Sequence, residues 1–108
     1  MTDKRIVLTT CGSKDEAEKI AQYLVENRLA ACVNIVPQVR SIYWWQGKVE
    51  SAEELLLLVK TTTEKFTQVR DAIRRLHSYE LPECVCLPVE DGSTPYLEWI
   101  AESVFLAE

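Results

Sequence analysis

The chain has one histidine and three glycines in 108 residues, and each scarcity removes a class of function. With a single histidine and no CxxC pair, a zinc site built from two Cys/His pairs cannot form. Glycines at 12, 47 and 92 are too far apart to make a glycine-rich phosphate loop. No apolar run approaches the ~18 residues that suggest a membrane span. The start, Met1-Thr2-Asp3-Lys4-Arg5, runs into a strand pattern without an h-region or a small-residue cleavage site. Basic residues are also in deficit, 12 Lys and Arg against 17 Asp and Glu. A net charge of −5 argues against a nucleic-acid partner, because phosphate binding needs a concentrated basic face. Arg70, Arg74 and Arg75 cluster on one helical stretch, but Glu64 and Asp71 share it, which makes a solvated face. Repeats, low-complexity stretches and linkers are missing too, so residues 1–108 are expected to form a single domain.

Cysteine is better represented, with Cys11, Cys32, Cys84 and Cys86. All four sit in apolar, strand-like surroundings, which reads as buried free thiols in a reducing cytoplasm. Two disulfides in a secreted domain would be the other reading, but no export signal supports it. Cys84 and Cys86 share a strand face and could hold a soft copper(I) ion; packed small apolar groups are the plainer explanation.

What the sequence has in quantity is strand. One long hairpin runs from Cys32 to Thr62 and turns at Gln46-Gly47, beyond the aromatic tip Tyr43-Trp44-Trp45. Its return arm carries Leu55-Leu56-Leu57-Leu58-Val59 without a polar interruption, so both of its faces are expected to be dry. Pro37 predicts a bulge, bend or edge position in the outgoing arm, since it cannot donate a ladder hydrogen bond. Before the hairpin, Arg5–Cys11 reads as a strand, and Ser13 to Asn27 as an amphipathic helix opened by the capping box Ser13…Glu16. After it come a helix over Glu64–His77 capped from Thr61-Thr62-Thr63, a loop, and a strand from Cys84 to Val89. A last helix is expected to be capped by Thr94, with Pro95 at its first position.

The order β-α-β-β-α-β-α predicts an α+β fold, a ferredoxin-like βαββαβ sandwich with an extended hairpin and an extra C-terminal helix. Two helices cover one sheet face. Ile6, Leu8, Val33, Ile35, Val36, Val85 and Leu87 add further apolar residues at consecutive or near-consecutive strand positions, leaving several on the other face. Leaving them wet would forgo on the order of 10 kcal/mol, so oligomerisation through that face is expected.

Four blocks carry a resemblance: Leu29-Ala30-Ala31-Cys32-Val33-Asn34, Ser41-Ile42-Tyr43-Trp44-Trp45-Gln46-Gly47-Lys48, Leu58-Val59-Lys60-Thr61 and His77-Ser78-Tyr79-Glu80-Leu81-Pro82-Glu83. In order and spacing they resemble the CutA divalent-cation tolerance family. The resemblance implies a compact homotrimer, sheets inward and helices outward, similar in architecture to PII-like signalling proteins. It also implies a part in tolerance of copper and other divalent metals, with no obligatory cofactor and no enzymatic reaction. Family members with proposed copper ligands have a cysteine and a histidine pair; here those positions fall on Thr9, Leu76 and His77, and Cys11 lies on the same strand face as Thr9.

His77 with Cys11, Glu80 and Glu83 therefore make the expected metal residues, imidazole and thiolate being ligands that favour copper. A histidine at a helix C-terminus, facing the helix dipole, is the simpler role for His77. Tyr43, Trp45, Glu54, Lys60 and Tyr79, with Glu80 and Glu83 again, match the family blocks and are expected to line a cleft between subunits, where aromatic walls, a lysine and carboxylates suit a small polar ligand or anchor an interface. Cys11 and His77 are the one nucleophilic pair, but no third group orients them, and catalysis is not expected.

Overall fold

The computed structural model describes residues 2–105. Its elements are β1 (Lys4–Cys11), α1 (Lys14–Glu26), β2 (Cys32–Trp45), β3 (Lys48–Thr62), α2 (Phe66–Leu76), β4 (Val85–Pro88) and α3 (Thr94–Val104). The sheet order is β2-β3-β1-β4, with antiparallel neighbours throughout. This is the ferredoxin-like α+β arrangement.

Directly opposed residues share a sheet face, so the register sorts the strands into two surfaces. The helix-side face carries Val7, Cys11, Leu57 and Val59, all fully buried against Ala17, Ile20 and Leu24 of α1 and Val69, Ala72 and Ile73 of α2. The opposite face carries Ile6, Leu8, Val36, Leu56, Leu58, Val85 and Leu87, and none of these is buried. α3 covers one end of it, where Leu97, Ile100 and Val104 pack on Ala31.

The hairpin turns as expected. Gln46 (φ 49°) and Gly47 (φ 79°) both lie in the left-handed region that a two-residue turn between Trp45 and Lys48 requires. Pro37 does sit at a bulge: Val36 opposes Leu56 while Val39 opposes Glu54, one residue more on β2 than on β3, and Gln38 takes φ 60°. An extra residue reverses the parity of everything beyond it. Before the bulge, even-numbered residues of β2 lie on the open face; after it, Val39, Ser41, Tyr43 and Trp45 do.

Several caps differ from expectation. Ser13 Oγ accepts from the Glu16 amide at 3.2 Å, but the Glu16 carboxylate bonds Ser78 rather than reaching back to Ser13. Ser93, not Thr94, is the N-cap of α3, and its side chain makes no capping bond; Thr94 is already helical. The Glu64–His77 helix begins as a 3-10 turn at Thr63–Lys65, whose N-cap Thr62 makes no side-chain capping bond, while Thr63 Oγ1 donates to the Asp3 carbonyl.

Two buried threonines set a stability contrast. Thr61 Oγ1 donates to the Leu29 carbonyl at 2.6 Å, whereas Thr9 Oγ1, equally buried, has no partner among the described residues. Thr61→Val should cost about 1–3 kcal/mol, while the isosteric Thr9→Val should be neutral or stabilise by about 1 kcal/mol, since it removes an unsatisfied hydroxyl. Denaturant unfolding at fixed protein concentration reads both; equal destabilisation by the two would refute the distinction.

Candidate functional site

His77 ends α2 and turns its ring inward, its amide still bonded to the Ile73 carbonyl at 3.0 Å. Nε2 lies 2.7 Å from the Thr10 carbonyl at the end of β1, which requires the hydrogen on Nε2. Nδ1 then accepts from the Tyr79 amide at 3.1 Å. Glu16 Oε1 lies 3.1 Å from the same Nδ1 and takes the Ser78 amide at 2.7 Å, while Oε2 takes the Ser78 hydroxyl at 2.7 Å. Burial pulls the Glu16 carboxyl up, but the two Ser78 bonds, with the positive charge of Lys19 and of His77 in its protonated form, outweigh it, and the group titrates below its ordinary value.

Cys11 completes a triad. Donor atoms of Cys11, Glu16 and His77 all lie within 4.8 Å of one another. Burial first, then the Glu16 and Glu54 carboxylates, push the Cys11 thiol up to about 11. A group so shifted keeps its proton at neutral pH, which makes it a poor nucleophile. Sequence reasoning paired His77 with Cys11 but assigned Glu16 only to the helix cap; its position one helical turn into α1, facing the loop after His77, is what brings it in. Glu80 and Glu83 stand outside the triad.

They line a cleft instead. A cavity of about 740 Å³ lies between the hairpin and the loop after α2, walled by Tyr43, Trp44, Trp45, Tyr79 and the carboxylates Glu54, Glu80 and Glu83. The β2 bulge is the cause, because it puts Tyr43 and Trp45 on the same face as Glu54. Glu54 is only 6% exposed and accepts from the Tyr79 hydroxyl at 2.8 Å. Burial and then that carboxylate raise the Tyr79 hydroxyl well above the ordinary phenol range. Lys60 is elsewhere: its Nζ donates to the Tyr96 hydroxyl at 3.1 Å, over the open face beneath α3. Cys84 and Cys86 are free and half-buried, packed against the helix-side core.

Residues 5–103 match the family model of the CutA1 divalent ion tolerance protein. The chain belongs to the CutA1 family. It is 51% identical over 100 residues to the divalent-cation tolerance protein CutA of Thermus thermophilus, covering 93% of this chain and 97% of that one. The Thermus structure superposes with a TM-score of 0.91 over the same shares. A CutA structure from Xylella fastidiosa, 38% identical, gives 0.94 over 96% of this chain and all of the other. The Archaeoglobus fulgidus structure, called a periplasmic divalent cation tolerance protein, gives 0.92 at 45% identity over 94% of this chain and 99% of that one. This CutA1 chain has no helix among its described residues long and apolar enough to cross a membrane.

Proposed function

We propose that this CutA1 chain is a cytoplasmic homotrimer that binds copper or another divalent cation weakly through His77 and Cys11, as cargo rather than as a catalytic cofactor. The observation that carries the reading is the convergence of thiol, imidazole and carboxylate within 4.8 Å. Glu80 and Glu83 add negative charge at the neighbouring cleft. The donor types suit a soft or borderline metal. Weakness has a structural cause: a metal must displace the Cys11 proton and take Nδ1 from the Tyr79 amide. The uncovered apolar face supports assembly, the number three rests on the family resemblance alone, and the protonated thiol supports the absence of a catalytic role.

Since the metal takes a thiolate whose proton is held up to about 11, binding at neutral pH releases a proton and strengthens roughly tenfold per pH unit. Calorimetric titration of zinc(II), and of copper(I) under reducing conditions, should show this slope, and His77→Ala should weaken binding about 100-fold. Equal heats in wild type and His77→Ala would end the metal assignment.

A second reading is favoured by the cleft. Its volume and mixed aromatic and acidic walls suit a small ligand, as in a PII-like sensor or a partner-docking scaffold.

A further inference from the structure

The charge composition of the cleft narrows the ligand. Three carboxylates line it, and no Lys, Arg or His does. Glu54 is the decisive one. It is almost wholly buried, faces the cavity, and is bonded to a neutral phenol hydroxyl. The ion pairs among the described residues are Lys4–Asp3, Lys14–Glu18, Arg70–Asp71 and His77–Glu16, and none reaches Glu54. Carboxylates are almost never this buried without a countercharge. Lys60, which the family resemblance placed here, is held by Tyr96, so its charge is withdrawn from the cleft.

We propose that this cleft binds a small organic cation, an alkylammonium or alkylguanidinium, with its nitrogen at Glu54 and its carbon substituents against Tyr43 and Trp45. An anion would meet three carboxylates, and a neutral apolar ligand would bury Glu54 further without compensating it. A cation answers both the acid and the aromatic walls, whose ring faces attract positive charge. About 740 Å³ is ample for such a ligand. The inference rests on the second reading above, that this cleft is a ligand site.

The test uses the 108-residue chain in its assembled state, followed by tryptophan fluorescence and calorimetry. The probes are choline, butylammonium and butylguanidinium, set against the neutral isostere of choline with carbon in place of nitrogen, and against butyrate. At least one cation should bind about tenfold more tightly than the neutral isostere. Glu54→Gln should abolish that preference, and Trp45→Ala should weaken every cation. Because Glu54→Gln alters a buried group, the exposed pair Glu80→Gln/Glu83→Gln provides a second arm, lowering cation affinity a few-fold and flattening its salt dependence. If the neutral isostere or butyrate binds as well as the cations, the cleft is a ligand site but the charge class is wrong. If no probe binds, or a crystal structure shows a lysine or arginine of a second copy at Glu54, both the inference and the ligand-site reading fall.

Discussion

Leu58→Glu should break the assembly into single subunits. Leu58 lies near the middle of the open sheet face, directly opposite Leu8 on one side and Asn34 on the other. Val36, Val85 and Leu87 on that face are each more than 40% exposed in one copy. Burying a leucine contributes roughly 1.5–3 kcal/mol, and enclosing an unpaired carboxylate in its place costs several more. A loss of about 5 kcal/mol per chain weakens association more than a thousandfold. Sedimentation at micromolar concentration should therefore give three times the 12.4 kDa subunit mass for the wild type and one times that mass for Leu58→Glu, with a much lower melting temperature. Thr67→Glu, an equal charge at an exposed position of α2, should leave the mass unchanged. A wild type that sediments as a stable single subunit would overturn the assembly and leave the open face unexplained.

That face was legible because it depends only on period. Two-sided apolar strands announce a second dry surface whatever covers it, and Pro37 announces a bulge, bend or edge position because it has no amide hydrogen. The consequence of the bulge was not legible, since which face Tyr43 and Trp45 take depends on whether one residue or none is inserted at Pro37-Gln38. Glu16 was read as half of a capping box, a local pattern; its use by Ser78 and His77 is a contact across 62 residues that no local rule contains. The family resemblance places Lys60 with the cleft, but Lys60 lies six residues from Glu54 on the same face of β3, about 20 Å along the strand, where the Tyr96 hydroxyl of α3 takes its ammonium. Pro95 at the first helical position points to Thr94 as the cap, yet the helix starts one residue earlier, at Thr94, and its N-cap Ser93 makes no side-chain bond.

The most local change with a distant effect is Gly12→Ala. A Cβ at Gly12 would lie 2.9 Å from the Tyr79 hydroxyl oxygen, closer than such atoms approach, while the ring carbons behind it are at 3.5 and 3.6 Å. The tip of the ring must therefore swing away, taking with it the 2.8 Å bond to Glu54 and the ring contact with His77 at 4.6 Å between centroids. Glu54 is left buried without its donor, at a cost of about 1–3 kcal/mol. In Tyr79→Phe the hydroxyl is gone and only ordinary contact distances remain, so adding Gly12→Ala should then cost little; the two changes should fail to add by about 1–3 kcal/mol. The same displacement should also appear in titration. Tyr79 is raised above the ordinary 10.0 by burial and then by Glu54. In Gly12→Ala the Tyr79 ionisation should move to lower pH, because the phenolate no longer forms beside a buried carboxylate. Denaturant unfolding of the four variants in the cycle and an ultraviolet pH titration measure both effects. Strictly additive costs, together with an unmoved tyrosine titration, would mean that Gly12 and Tyr79 are independent, and the latch over Glu54 would have to be given up.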